Sequence, residues 1–154
     1  KRAVSRLDEM AEGTSFHRVL WDDAQYSKNE KIKLAKDNKI RRVVLCSGKV
    51  YYDLYEEREK RGENRIQILR IEQLYPFPEN VLAQELNRFP KAELVWCQEE
   101  PRNMGAWSYF ALRMLDAGVR FHYAGRKASA SPATGYPARH QEEQTTLLTE
   151  ALRG

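Results

Sequence analysis

The amino-acid sequence predicts an α/β fold, an open and mostly parallel sheet flanked by helices. Short strand-like runs recur at 43–46, 66–71, 94–97 and 119–124. Each gap between them has room for one helix and carries apolar residues at helical spacing. Strands that alternate with helices in this way bury a parallel sheet between two helical layers.

Taken in order, residues 1–14 carry no strand pattern and are expected to be the tail of, or linker from, a preceding domain, with the domain proper at 15–154. Residues 16–21 read as a first strand. The stretch 24–39 is polar and charged without a clean apolar stripe, which predicts an exposed connection or insertion. After the strand at 43–46, Val50, Tyr51, Leu54 and Tyr55 form the stripe of one helix. After 66–71, Val81, Leu82, Leu86 and Phe89 form the next, with Pro76 and Pro78 bracketing its start and Pro90 following its end. After 94–97, Trp107, Phe110, Ala111, Met114 and Leu115 share one face of a third helix, and Gly118 follows it. Beyond 119–124, Leu147, Leu148, Ala151 and Leu152 form a fourth stripe. Such stripes face the core. No internal repeat or low-complexity tract interrupts the pattern.

The 154 residues suit one domain, and 42% hydrophobic with 31% charged residues is a folding composition. Lys and Arg exceed Asp and Glu by 26 to 22, with the two signs interspersed. That balance hints at anionic ligands and lacks the clustered footprint of a nucleic-acid binder. No apolar run reaches the roughly 18 residues that span a bilayer, and no signal peptide opens the chain, so the cytoplasm or an organelle matrix is expected. Cys46 and Cys97 each end an apolar run, the pattern of buried, reduced thiols. The first residue is Lys1 rather than Met, which predicts a piece of a longer polypeptide.

Several stretches could carry chemistry. CSGK at 46–49 ends a strand and opens a helix, so first-turn amides could hold a phosphate with Ser47 as cap and Lys49 as counter-charge, or Ser47 could simply cap the helix. It is not a Walker A loop, because Val43 and Val50 stand where that motif needs Gly and Ser or Thr. In WCQEEPRNMGAW at 96–107, Glu99 and Glu100 sit at the carboxyl end of a strand, where α/β sheets place ligands. Adjacent residues of an extended segment point opposite ways, which argues against a carboxylate dyad. One is expected to meet water or a partner domain, the other to accept from loop amides or to pair with Arg102. SASPATGYPARH at 129–140 reads as a small-residue loop fit to lie against another surface, or as an exposed linker to the last helix. Arg126 and Lys127 before it form the best local anion site, with Arg70 a second candidate. His17, His122 and His140 lack metal-ligand spacing, and neither a GxSxG elbow nor a GxGxxG fingerprint is present. A phosphoacceptor receiver-like reading of Asp22 and Asp23 lacks its acceptor Asp, since Glu72 and Gln73 follow the third strand.

The motifs CSGKVYYDL (46–54), RIEQLYPFP (70–78), WCQEEPRNMGAW (96–107) and YAGRKASASPATGY (123–136) come in order. Together they resemble the C-terminal segment of the decarboxylating first component of the 2-oxoglutarate dehydrogenase complex, and GTSFHRVL (13–20) fits the family's approach to this domain. The resemblance covers nearly the whole chain, with 25–39 its least recognisable part. It implies a transketolase C-terminal-like fold in a homodimer whose thiamin diphosphate and magnesium bind in the preceding domains. It implies a parent that decarboxylates 2-oxoglutarate and succinylates lipoamide on the dihydrolipoamide succinyltransferase component, beside lipoamide dehydrogenase, in the bacterial cytoplasm or the mitochondrial matrix. This segment carries no catalytic, cofactor or metal motif, so alone it is expected to be inactive. Glu99, Glu100 and Arg102 are then expected at a domain or dimer contact. Because some family members respond to acyl-CoA or adenine nucleotides, Lys49, Arg70, Arg126 and Lys127 are candidates for binding effector phosphates. The alternative is a sensing module for acyl-CoA or nucleotide with no part in forming the active site.

Overall fold

A computed structural model describes residues 7–26 and 31–153. Among them, β1 (Val19–Leu20), β2 (Arg42–Cys46), β3 (Ile66–Ile71), β4 (Glu93–Gln98) and β5 (His122–Gly125) form one sheet in the order β1-β3-β2-β4-β5. β1 is antiparallel to β3 and the other pairings are parallel. The helices are α1 (Asp23–Tyr26), α2 (Val50–Arg61), α3 (Glu79–Leu86), α4 (Trp107–Asp116) and α5 (Pro137–Ala151).

Side-chain alternation along β2 divides the core. Val44 and Cys46 pack with Leu54 of α2 and Leu147 of α5, while Val43 and Leu45 pack with Leu82 of α3 and Phe110 of α4. Both faces are covered, which is why residues 43–46 of β2 read as an unbroken apolar run. The chain leaves β2 for β3 on one side and returns through α3 to β4 on the other. The carboxyl ends of β2 and β4 therefore flank the point where strand order reverses, outside which open α/β sheets place their sites.

Four expectations need correction. Lys49, not Ser47, takes the N-cap position of α2, and it does so without a side-chain cap; Gly48, at φ 70°, supplies the turn before it. Leu115 is 65% exposed, because Phe110 and Met114 already fill the core side of α4. The stretch 24–39 is not simply an exposed insertion: Ala24 and Ile32 are buried, and the Ala35 amide donates to the Asn64 carbonyl. Residues 27–30 of it lie outside the described residues, as do 1–6 of the expected tail. Finally, α5 begins at Pro137, so the last four residues of SASPATGYPARH are helical, with Pro in the first turn where its missing amide costs nothing.

Candidate functional site

The carboxyl edge of β4 is organised by one side chain. Gln98 ends the strand and is 3% exposed. Its Oε1 accepts from the Trp96 indole and the Trp107 amide, each at 3.0 Å, and its Nε2 donates to the carbonyls of Met104, Glu100 and Pro101 at 2.9, 3.2 and 3.2 Å. A loop that would otherwise carry unpaired carbonyls is thus wound around an amide that is both donor and acceptor. Gly105 lies against it at φ 66°, where a Cβ would meet Gln98 Oε1 and Glu100 Cβ at 3.1 Å.

The adjacent carboxylates diverge. Glu99 accepts from Lys49 at 3.0 Å; Lys49 also reaches Asp53 at 3.2 Å, and Asp53 accepts from Gln144 of α5 at 3.0 Å. The strand-reversal point is closed by this chain of contacts, and the Glu99 contact above all holds the Lys49 ammonium pKa above its ordinary value. Glu100 faces solvent. Arg102 stacks over the rings of Trp107 and Tyr123 at 5.5 and 5.4 Å, in place of the carboxylate pairing offered for it.

The loop after β4 is tied to the loop after β5. Asn103 pairs both ways with Ser129, its Nδ2 donating to the Ser129 carbonyl and its Oδ1 accepting from the Ser129 amide, each at 3.0 Å. The Arg102 amide and the Tyr123 hydroxyl donate to the Arg126 carbonyl at 3.1 and 2.9 Å, and burial pushes that hydroxyl's pKa up to about 12. Arg126 pairs with Glu143 of α5 at 2.7 Å and donates to the Pro132 carbonyl at 3.0 Å. The hydrogen bond from Thr134, then Arg126 and Arg139, hold Glu143 below the usual carboxylate range. The result is one hydrogen-bonded platform made of two loops.

The four basic candidates do not converge. Arg126 and Lys127 line a cavity of about 330 Å³ together with Arg139, Lys49 lines another of similar size, and Arg70 lines a third of about 690 Å³. Arg70 pairs with Glu72 at 2.8 Å and stacks on Tyr51 and Tyr52 at 4.8 and 5.3 Å.

With this geometry in place, comparison with known proteins is informative. The family described as 2-oxoglutarate dehydrogenase C-terminal matches residues 4–152. The chain belongs to that family. The 2-oxoglutarate dehydrogenase E1 component of Brucella anthropi is 61% identical over 159 aligned residues, and those of Brucella ovis and Brucella canis are 60% identical. Each alignment takes in 99% of this chain and 16% of the relative, so the chain spans about one sixth of the length of these proteins. A 2-oxoglutarate dehydrogenase C-terminal domain with an α/β, mostly parallel sheet accords with the transketolase-like class that the motifs implied.

Within this member of the family, Asp22 is fully buried and held by Arg58, which leaves it unsuited to phosphoacceptor chemistry. Gln98 and Asn103 escaped the reading of the sequence. A polar side chain inside a strand covered on both faces was a usable sign for Gln98; nothing local pointed to Asn103, whose partner lies 26 residues away.

Proposed function

We propose that this chain is the C-terminal domain of the E1 component of a 2-oxoglutarate dehydrogenase complex and that it serves the active dimer as a rigid wall. The observation that carries the reading is identity of 60–61% across 99% of the chain with proteins of that name. In this reading the parent decarboxylates 2-oxoglutarate and passes the succinyl group to lipoamide on dihydrolipoamide succinyltransferase, with lipoamide dehydrogenase completing the complex. Its compartment is the bacterial cytoplasm or the mitochondrial matrix.

The parent's thiamin diphosphate and magnesium belong to its other domains. Among the described residues no three His, Cys, Asp or Glu side chains are grouped to hold a metal ion, and Glu99, Asp53 and Glu143 are engaged by cations and amides of the domain itself. Those three carboxylates are therefore committed to contacts within the domain. What the domain supplies is stiffness: Gln98 fixes the loop carrying Glu99, Glu100 and Arg102, and Asn103 locks it to the loop after β5. A preorganised site needs walls whose own hydrogen bonds are complete.

The test is 2-oxoglutarate-dependent reduction of an artificial electron acceptor by the parent truncated before Lys1, with and without this chain added back. Loss of activity that the added chain restores supports the reading. Full activity in the truncated parent sinks it. One observation favours an additional regulatory role: Lys127 lines a cavity at the start of α5 beside Arg126 and Arg139, which share Glu143 as their partner there. In calorimetric titration of the full parent with acetyl-CoA, Lys127→Ala should weaken binding; an unchanged isotherm removes Lys127 from the site.

A further inference from the structure

The two signs of charge, interspersed along most of the chain, separate over residues 31–42, KIKLAKDNKIRR. Six Lys and Arg against one Asp give that segment +5, more than the +4 of the whole chain, so the remainder carries slightly more acid than base. Contacts within the domain then sort the six. Arg41 and Arg42 pair with Glu63 and Glu93 and donate to carbonyls at and just beyond the end of α5. The lone acid, Asp37, is held by Arg88 at 3.0 Å. Lys31, Lys33, Lys36 and Lys39 are left exposed, and among the described residues none has a carboxylate within ion-pair reach. The exposed Lys49 and Lys60, by contrast, each have one.

These four ammonium groups stand on a fixed support. Ile32 and Ile40 are buried, Leu34 and Ala35 pack against the core, the Ala35 amide donates to the Asn64 carbonyl at 2.9 Å, and Asp37–Lys39 form a 3-10 turn. With the backbone already ordered, only lysine side chains lose freedom when a partner binds. Acidic groups that face the strip meet positive charge without first displacing a carboxylate of the domain. The surroundings of the lysines also select among polyanions. The strip contains no aromatic residue on which a base could stack, and its apolar side chains are turned to the core, leaving none to enter a bilayer. A run of Asp and Glu in a polypeptide needs neither.

We propose that this strip is a docking surface for an acidic polypeptide segment of the succinyltransferase component. The inference rests on the reading of the chain as a domain of the E1 component. In that reading the succinyltransferase is the protein to which the parent hands its acyl group, so it must be met and left at every turnover. Complementary surface charge speeds encounter, and exposed ion pairs are individually weak enough to release.

The experiment uses the full-length parent and the intact succinyltransferase, with binding read by interferometry at low and at physiological salt. Lys33→Glu combined with Lys36→Glu should weaken binding about tenfold or more at low salt and by less at physiological salt. Arg113→Glu combined with Arg120→Glu, the same change of charge placed on α4 and before β5, should leave binding unaltered. A carbodiimide, which condenses a lysine amine with a carboxyl group, should join Lys31, Lys33, Lys36 or Lys39 to a succinyltransferase peptide rich in Asp and Glu, identified by mass spectrometry. Unaltered binding in the lysine variant, equal weakening in the arginine variant, or loss of binding on nuclease treatment would overturn the proposal. So would the absence of a cross-link, or links only to lipoamide dehydrogenase, to a second copy of the parent or to the parent's own upstream chain. Acceptor reduction needs no succinyltransferase and reports whether each variant is folded; where the Glu pair loses it, Lys33→Gln with Lys36→Gln takes its place. An unmodified parent active on 2-oxoglutarate whose binding ignores the strip defeats only this inference, whereas an inactive unmodified parent defeats the functional reading beneath it.

Discussion

A carboxylate with no solvent contact, Asp22 accepts from two nitrogens of Arg58 and from the amides of Ala24 and Ile68. Removing one member of such a pair strands the other charge, whereas replacing both with apolar groups need not be harmful. We expect Asp22→Ala to cost about 3–5 kcal/mol and the double change Asp22→Leu, Arg58→Met to recover part of it, the Ala24 and Ile68 amides still lacking their acceptor, as read from urea midpoints. Equal losses in the single and double variants would contradict this account. Gln98 makes a parallel case without charge. Gln98→Leu would leave the buried Trp96 indole without its acceptor and three carbonyls without their donor, at an expected cost of roughly 2–4 kcal/mol. Faster hydrogen exchange at the Trp107 amide, with the strand amides still protected, would locate the damage in the loop.

Among the elements, the join between the loops after β4 and β5 and the first turns of α5 depends on one titrating carboxylate. Glu143 holds Thr134, Arg126 and Arg139, and the Thr134 hydrogen bond is the main reason its pKa lies below the ordinary carboxylate value. The folded pKa is depressed, so the linked stability is present above the unfolded value of about 4.3 and is lost as pH falls through the folded value. Protease cleavage within residues 129–134 should therefore rise below about pH 4. In Glu143→Gln, cleavage should be raised already at neutral pH and lose that pH dependence. A wild-type profile in the variant would show that another group holds the loop.

For the molecule as a whole, the parallel sheet sets Cys46 beside Cys97 in register, both fully buried beneath α2 and α5. Burial pushes both thiols well above their ordinary range, so little reactive thiolate forms at neutral pH. We expect a thiol-specific reagent to modify neither in the native protein and both after denaturation; native labelling would mean the sheet opens. How far such whole-molecule features could be read beforehand differs with their range. The strand of residues 66–71 coincides with β3, and the stripe Val50, Tyr51, Leu54, Tyr55 is the buried face of α2, because period and burial are imposed locally on each element. The strand expected over residues 16–21 shrinks to Val19–Leu20, since only that pair finds partners on β3. Likewise 119–124 forms pairs only from His122, where β4 is opposite. Glu99 and Glu100 could be expected to diverge, because alternation in an extended segment is local, but that Glu99 would meet Lys49, 50 residues away, could not. By itself the sequence determined the class of fold, the order of its elements, the membership of the family and the loops worth attention, all of which follow from short-range periodicity and motif. Tertiary structure alone decided the partners: Asp22 with Arg58, Asn103 with Ser129, Glu143 with Arg126, and the separation of the basic residues among three cavities. Those pairings arise where distant strands and helices end side by side, and the order in which strands pack is a property of the assembled sheet.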